Sequence, residues 1–258
     1  MKILVLVKQV PDMESRFVPV EGGGWYQEED IAFRMNEYDE YAVEEAVSLK
    51  EKLGEGCELT VLSMGPERTV DTVRRALAMG CGSGVHILDS GYKGRDSAQT
   101  ASAIAAYASG KGFDLIFTGN QSQDMATGQV GPMLAEALDM PCVTTVVKFE
   151  YEDGKVSVQR ELEGGVRARV SVSAPAVITC HLGLNKPRYP TLPSIMKAKK
   201  KPLETISADG LVKDAQHTTP ARMFAPEKRK AGLVLEGEIG AQVEKLMEIL
   251  RERNFIPS

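Results

Sequence analysis

Short runs of aliphatic and β-branched residues alternate along the first half of the chain with stretches in which apolar residues recur every three or four positions. The runs at residues 3–7, 58–64, 85–88 and 115–118 predict strands buried on both faces, as in a parallel sheet. The stretches at residues 36–53, 67–79, 97–109 and 133–138 predict helices, the first of them capped by Asn36. Such alternation forms right-handed βαβ units, so we predict an α/β fold with a doubly wound, mostly parallel, Rossmann-like sheet.

After Pro141 the pattern changes to period-2 alternation. Residues 142–150, 155–162, 168–172 and 177–180 predict further β segments. The turn sequences Glu152-Asp153-Gly154 and Glu163-Gly164-Gly165 separate three of them. We therefore expect added antiparallel strands to extend the parallel sheet. A last amphipathic helix is predicted at residues 238–253.

Residues 184–202, LNKPRYPTLPSIMKAKKKP, combine rigidity with charge, and we call them the proline–lysine segment. Proline forbids a central strand, so the segment is expected to be an exposed, stiffened loop that leads into a short basic helical turn. An apolar patch, Leu192, Ile195 and Met196, precedes the lysines. The pattern fits a proline-rich linker with a solvated lysine face, and it equally fits a surface presented to a partner protein.

Composition and charge exclude several classes of function. No apolar run approaches the roughly 18 residues of a membrane span, and a net charge of −5 argues against nucleic acid as the main ligand. The four cysteines lie far apart without a CxxC pair, which argues against zinc or an iron–sulfur centre. The apolar run at the N-terminus is too short for a signal peptide and no cleavage site follows, so we expect a bacterial-type cytoplasmic protein without a signal or transit peptide.

The candidate chemistry lies at the strand ends. In a doubly wound sheet the ligand crevice is outside the carboxyl ends of the strands. Residues 119–132, GNQSQDMATGQVGP, follow one such strand and precede a predicted helix. Backbone amides near Gly128, Gln129 and Val130 would point into the crevice, where they could bind phosphate. An ordinary strand-to-helix turn also needs a glycine and polar residues, and the loop matches neither GxGxxG nor the P-loop pattern, so both interpretations stay open.

No catalytic set is visible in the sequence. The three histidines, His86, His181 and His217, are scattered, and no serine, histidine and aspartate set or metal-ligand cluster accompanies them.

Six pieces of the sequence, taken in order and spacing, resemble the β subunit of electron transfer flavoprotein over nearly the whole chain. They are KILVLVKQV, MNEYDEYAVEEAVSLKEK, SMGPERTVDTVRRALAMG, GNQSQDMATGQVG, RELEGG and LNKPRYPTLPSIMKAKKKP. The resemblance implies an adenine nucleotide alpha hydrolase-like fold and a heterodimer with an α subunit that holds most of the FAD. Such a protein carries electrons from a flavin-dependent dehydrogenase to a quinone oxidoreductase or similar acceptor, and is not a stand-alone enzyme.

The resemblance also implies two sets of site residues. A structural AMP is expected in this chain, at Leu6, Asn36, Met64, Gly119, Gln121, Asp124, Thr127, Gly128, Gln129 and Val130. The proline–lysine segment corresponds to the family's recognition loop, in which Leu192 is the apolar anchor that enters a pocket on the dehydrogenase. The partner-recognition residues are then Leu192, Ile195, Met196, Lys197, Lys200 and Glu161. The last matches a glutamate implicated in letting the flavin domain swing.

Two alternatives accompany this interpretation. Electron-bifurcating relatives use NADH and hold a second FAD in place of AMP, with a loop of the form DGDTxQVGP. Here Met125 and Ala126 replace the glycine and second aspartate of that pattern, and MNEYDEYAVEEA with GNQSQD favours the AMP-holding subgroup. An adenine-nucleotide hydrolase would need a serine- and glycine-rich loop with an aspartate after the first strand, where this chain has Lys8-Gln9-Val10-Pro11.

The resemblance and the composition together predict three parts. Residues 1–185 form the nucleotide-binding α/β domain with its added β segments. Residues 186–232 hold little apolar sequence, and we expect this recognition loop and extended arm to dock on the partner subunit. Residues 233–258 form a C-terminal strand and helix.

Overall fold

The computed structural model of the chain describes residues 1–152, 154–226 and 232–257. Its contacts divide the chain into two units, Met1–Met223 and Phe224–Ser258. The first unit includes residues 186–223 of the predicted arm together with the α/β domain, and the separate docking role of the arm stays a prediction. Asp153, in one of the predicted turns, and residues 227–231 of the arm lie outside the described residues.

The first unit is built on a large sheet, flanked by helices on both faces. Its strands and those of a small hairpin are β1 (Lys2–Leu6), β2 (Gln9–Pro11), β3 (Phe33–Met35), β4 (Glu58–Gly65), β5 (Ser83–Leu88), β6 (Leu115–Gly119), β7 (Cys142–Glu152), β8 (Lys155–Glu161), β9 (Arg167–Ser173), β10 (Ala176–Cys180) and β11 (Leu203–Ser207). The helices of the chain are α1 (Glu37–Leu53), α2 (Val70–Met79), α3 (Ser97–Ala108), α4 (Val130–Ala137), α5 (Leu192–Ala198) and α6 (Ile239–Glu252).

The nine strands of the large sheet follow the order β11-β5-β4-β1-β6-β10-β7-β8-β9. Every pair from β11 to β7 is parallel, and β8 is antiparallel to both of its neighbours, β7 and β9. The predicted α/β class, with a doubly wound and mostly parallel sheet and added antiparallel strands, is therefore confirmed.

Alternation along the central strand divides the core into two layers. Ile3 and Val5 of β1 pack in a cluster with α1 and α2, whereas Leu4 and Leu6 pack in a second cluster with α3 and α4. All four side chains are buried, because β1 lies between β4 and β6 with helices on both sides. The carboxyl ends of the parallel strands consequently meet at one edge of this sandwich.

One predicted strand has a different neighbourhood from the expected one. The segment predicted at residues 177–180 was grouped with the antiparallel extension, but β10 lies between β6 and β7 and is parallel to both. All five of its residues are buried, since helices cover it on both faces. The first part of β7 is likewise parallel to β10, and only its pairing with β8 begins the antiparallel extension.

The sequence interpretation missed two features and misassigned one. The strands β2 and β3 form a short antiparallel hairpin, and β11 adds a parallel edge strand beside β5. Asn36 stands at the start of α1 as predicted, but its side chain makes no capping hydrogen bond to that helix. It bonds instead to the loop after β6.

The second unit contains α6, whose face of apolar side chains is exposed. The residues on that face include Ile239, Val243, Leu246 and Met247. Within the described residues, no helix combines the length and apolar character needed to cross a bilayer.

Candidate functional site

The edge of the sheet where β1 and β6 end is joined to the first turn of α1 by one carboxylate, Asp39. Its Oδ2 accepts a hydrogen bond of 2.6 Å from the Lys8 backbone N–H, just after β1. Its Oδ1 accepts one of 3.0 Å from the Gly119 N–H, at the end of β6. The side chain is 5% exposed. Asp39 thus ties the carboxyl ends of β1 and β6 to α1, at the edge where a doubly wound sheet binds its ligands, and we call this edge the strand-end crevice.

Burial dominates the electrostatics of this carboxylate. Removal from water raises the pKa of Asp39 to about 7, although hydrogen bonds from Lys8, Asn36 and Gly119 act in the opposite direction. The position of Gly119 also depends on this contact. A Cβ on Gly119 would collide with Asp39 Oδ1 and would lie 2.8 Å from Tyr38 Cβ. Only glycine lets β6 approach the start of α1 so closely.

The loop that follows β6, residues 120–129, is held against α1 by Asn36. The Asn36 side chain donates from Nδ2 to the Gln121 carbonyl at 2.9 Å, and its Oδ1 accepts from the Gln123 N–H at 3.0 Å. The Gln123 side chain adds a 2.8 Å bond to Glu37 Oε2. Asn36 is 1% exposed, so these bonds are shielded from water. The buried amide therefore sets the path of the loop across the strand-end crevice.

A second link ties the same loop to the residue after β1. Lys8 Nζ lies 2.8 Å from Asp124 Oδ1 and 3.3 Å from Ser122 Oγ. Asp124 also accepts a 2.9 Å bond from the Met125 N–H. The predicted loop residue Asp124 is thus engaged within the protein, and it neutralises the Lys8 ammonium.

The loop leads into α4 with its backbone donors uncommitted. Among the described residues, the Gly128 and Gln129 N–H groups have no hydrogen-bond acceptor, and no side chain caps the helix. Gly128 has φ of +62°, a conformation that favours glycine. Free N–H groups at a helix start attract anions through hydrogen bonding and the helix dipole. These residues fit a phosphate group.

Close packing holds the start of α4 against the sheet. A Cβ on Gly131 would lie 2.7 Å from Thr179 Cγ2 and 3.0 Å from Thr118 Cγ2. The Thr179 hydroxyl bonds to Asn120 Oδ1 at 3.0 Å, and accepts from the Thr145 N–H at 3.2 Å. The helix start and the loop are therefore positioned by strands β6 and β10 beneath them.

The structure brings most of the predicted cofactor residues to the strand-end crevice. Leu6 ends β1 and is 5% exposed. Met64 is half-buried near the end of β4. Gln121 Nε2 lies 3.3 Å from the Tyr38 hydroxyl, and the exposed Thr127 lies 3.2 Å from Ser97 Oγ. Strand-end residues and loop residues thus occupy one edge of the sheet, and their contact with a ligand stays a prediction.

Most of the predicted partner-recognition residues lie elsewhere, on α5 or just after it. This helix is part of the proline–lysine segment, and Thr191 caps it by accepting from the Ser194 N–H at 3.4 Å. Leu192 is 80% exposed and Met196 is 62% exposed, with Ile195 between them in the sequence. The segment leads into a short helix as predicted, and the helix begins at Leu192, so it includes the apolar patch as well as Lys197. Lys197 and Lys200 are exposed at the end of the helix.

Glu161 is separate from both sets. It ends β8 and pairs with Arg167 of β9. Its carbonyl accepts a 2.8 Å bond from Thr145 Oγ1 of β7, and Thr145 has φ of +58° where the pairing of β7 with β10 is irregular. Within the described parts of the chain, the Glu161 carboxylate makes no hydrogen bond or ion pair.

Sequence reasoning missed the contributions of Asp39 and Lys8. A signal for Asp39 was present, because it shares a helix face with Ala42, Val43 and Ala46, all of which are buried. A carboxylate on an apolar stripe requires partners. The signal for Lys8 was only its place directly after a buried strand. In the described residues, no group of three or more histidine, cysteine, aspartate or glutamate side chains could hold a metal ion.

Comparison with known proteins finds consistent similarity. The model of the electron transfer flavoprotein domain matches residues 23–211. The electron transfer flavoprotein subunit beta of Bacillus subtilis (strain 168) is 40% identical over 256 residues, which cover 97% of this chain and 98% of the relative. The proteins of the same name from Methylophilus methylotrophus and Mus musculus are 34% and 38% identical, over 98% and 92% of this chain and 98% and 93% of theirs.

Proposed function

The chain belongs to the electron transfer flavoprotein β-subunit family, and from this premise we propose that it pairs with an α subunit to form an electron-carrying heterodimer. FAD is held mainly by the α subunit in this proposal. Electrons enter from a flavin-dependent dehydrogenase and leave to a quinone oxidoreductase or a similar acceptor. The observation that carries the proposal is the similarity to curated β subunits over nearly the full length of both chains.

The strand-end crevice is the proposed site of a structural adenine nucleotide, AMP. The support is local: uncommitted N–H groups at Gly128 and Gln129, and a loop fixed by Asn36 and Asp124. When bound, the nucleotide would supply phosphate charge to a helix start that otherwise lacks an acceptor. Its role in this proposal is to order the loop rather than to take part in electron transfer.

The proline–lysine segment is the proposed docking site for the dehydrogenase. Leu192 and Met196 are large apolar side chains that a monomeric surface rarely exposes together on one helix. Full burial of a leucine side chain contributes about 1.5 to 3 kcal/mol. Glu161 is proposed to assist movement of the flavin domain, and Lys197 and Lys200 to attract an acidic partner.

Docking is tested by Leu192→Ala in the purified heterodimer. We expect kcat/KM for reduction by the dehydrogenase to fall by about tenfold, from the lost burial of one leucine. Flavin content should be unchanged, because FAD is held mainly by the α subunit in this proposal. Val166→Ala, at another exposed apolar residue, is the matched control. Kinetics of Leu192→Ala equal to wild type would remove the anchor role.

The nucleotide is tested by denaturing the purified heterodimer and separating the released compounds by chromatography. We expect one AMP and one FAD per heterodimer. Two FAD and no AMP would replace the AMP assignment by the second-FAD alternative, and would favour electron bifurcation with NADH. Absence of any adenine nucleotide other than a single FAD would remove the nucleotide role of the strand-end crevice.

A further inference from the structure

Two basic side chains hold the proline–lysine segment at its two ends. We propose that Arg188 and Lys201 are positioning residues, which fix this segment on α1 and α2 in its partner-binding conformation before a partner arrives. The inference rests on the proposed docking function. It also makes a claim that can be tested without a partner: the segment already has this conformation in the free heterodimer, and Arg188 and Lys201 maintain it.

The first anchor joins Arg188 to α1. Its guanidinium donates to both oxygens of Glu44, each at 2.9 Å, and to both oxygens of Glu51, at 2.6 and 3.0 Å. The Arg188 backbone N–H adds a fifth bond, 3.0 Å long, to Glu44 Oε2. Paired bonds between a guanidinium and carboxylates are stronger and more directional than a single ion pair.

The surroundings strengthen this anchor. The Glu44 side chain is only 10% exposed. Burial alone would raise the pKa of Glu44, but the bonds from Arg188 outweigh burial and leave that pKa below its usual value. Asn185, three residues earlier, donates to the Tyr41 carbonyl at 3.0 Å and to Glu45 Oε2 at 2.9 Å. The segment is thus attached to α1 through two successive side chains.

The second anchor is a reciprocal pair of contacts with α2. Lys201 Nζ donates to the carbonyls of Leu77 and Cys81, at 2.8 and 2.6 Å, at the end of α2. Arg74 of α2 donates to the carbonyls of Ala198 and Lys201, at 2.8 and 2.9 Å, at the end of α5. The last carbonyls of a helix lack partners within the helix, and a cation there satisfies them. Each helix end therefore receives a cation from the other segment.

The exposed apolar surface lies between the two anchors. Tyr189, Leu192 and Met196 are 84%, 80% and 62% exposed, and Ala198 is the one residue of α5 that is buried. A helix of seven residues is not stable by itself in water, and one buried alanine supplies little packing. Beyond the Thr191 cap, the two anchors rather than burial of α5 therefore hold its conformation.

The lysine cluster consequently has two roles. Lys201 is partly buried and committed to α2, whereas Lys197, Lys199 and Lys200 are exposed. No hydrogen bond or ion pair engages these three side chains within the described residues. The free lysines are available to a partner, while Lys201 sets where they stand. A surface ordered in advance loses less conformational entropy when a partner binds.

Amide hydrogen exchange of the heterodimer alone, without any dehydrogenase, tests the proposal. The reporters are the Ile195, Lys199 and Lys200 amides, which donate to carbonyls within the segment. We expect Arg188→Met and Lys201→Met to speed their exchange by about tenfold or more, because local opening becomes easier. The matched controls are Lys200→Met, next to Lys201 in the chain, and Arg167→Met, at an exposed arginine. Both controls should exchange like wild type.

A kinetic measurement separates positioning from general loss of stability. With a flavin-dependent dehydrogenase purified from the source cells, Arg188→Met should raise KM for the heterodimer by about tenfold and leave kcat unchanged. Arg188→Lys keeps the charge but loses the paired geometry, and should recover only part of the effect. In the Leu192→Ala background, Arg188→Met should raise KM little further, because the Leu192 side chain that Arg188 positions is already absent.

Wild-type exchange rates in both Arg188→Met and Lys201→Met would overturn the proposal. If Arg188→Met fails to fold, Glu51→Gln and Lys201→Met carry the test, since Glu51 is at the surface and its substitution removes only half of the first anchor. Unchanged kinetics for Leu192→Ala, together with faster exchange in the anchor variants, would refute the docking function and leave the positioning role intact.

Discussion

A single buried carboxylate, Asp39, makes the stability of this fold dependent on pH near neutrality. Burial raises its pKa to about 7 in the folded protein, from an ordinary value near 3.8. The folded state therefore binds a proton that the unfolded chain has already lost between those pH values. The contribution to stability is largest below about pH 4, declines as the pH rises towards 7, and is constant above the folded pKa.

Asp39→Asn tests this residue. Asparagine is uncharged at every pH, so the difference in unfolding free energy, wild type minus variant, should fall by up to about 4 kcal/mol between pH 4 and pH 8. The lost acceptor beside Lys8 or Gly119 adds a constant offset that does not depend on pH. Denaturant unfolding followed by circular dichroism at several pH values measures the difference. A difference that stays constant over this range would show that Asp39 is ionised throughout in the folded state.

At the scale of elements, the contact between α4 and the sheet determines where its free N–H groups stand. In Gly131→Ala the added methyl carbon would lie 2.7 Å from Thr179 Cγ2, which is too close for two carbon atoms. The start of α4 must therefore move away from β6 and β10. Overpacking of this kind costs about 1–3 kcal/mol. We expect less bound nucleotide after purification, measured by chromatography. We expect kcat/KM for reduction by the dehydrogenase to be unchanged, because the proline–lysine segment is not altered. Glu136→Ala, on the exposed face of α4, should retain the nucleotide. Full nucleotide content in Gly131→Ala would show that the position of the start of α4 does not determine nucleotide binding.

The elements differ in how far the sequence determines them. The strands β1 and β6 are nearly continuous apolar runs, as expected of strands that helices cover on both faces, and this pattern is readable without a structure. The strand β11 was missed because it is an edge strand with no fully buried residue. The position of β10 between β6 and β7 results from pairing between distant parts of the chain, which local periodicity does not encode.

The same distinction applies to the candidate site. Asn36 and the loop after β6 could be nominated because strand ends of a doubly wound sheet line a crevice, and the family resemblance named the same residues. The partners of Asp39, Arg188 and Lys201 could not be predicted, because each side chain contacts residues far away in sequence. Lys201 in particular is indistinguishable by sequence from the three exposed lysines before it.

At the scale of the whole molecule, the charge of the proline–lysine segment opposes that of the chain. The chain carries a net charge of −5, yet Lys197, Lys199 and Lys200 stand exposed together beside an apolar helix. Local charges of one sign accelerate encounter with an oppositely charged partner, and salt screens this effect. The arrangement therefore favours an acidic surface on the proposed dehydrogenase partner. The charges would raise the rate of association more than the affinity.

This charge distribution predicts a salt dependence that the three lysines should account for. Raising the ionic strength from about 0.05 to 0.5 M shortens the screening length to a few ångströms, and kcat/KM of the wild-type heterodimer should fall by about tenfold. The triple variant Lys197→Gln, Lys199→Gln, Lys200→Gln changes the chain from −5 to −8. Its kcat/KM at low salt should equal that of wild type at high salt, with little further dependence. The matched single-charge control is Lys155→Gln, at an exposed lysine in the β7–β8 hairpin. It should leave the salt dependence of kcat/KM unchanged, whereas Lys200→Gln alone should reduce it. If the triple variant keeps the wild-type dependence of kcat/KM on ionic strength, the attracting charges lie outside the proline–lysine segment. If it loses that dependence while kcat stays unchanged, these lysines steer the partner towards Leu192.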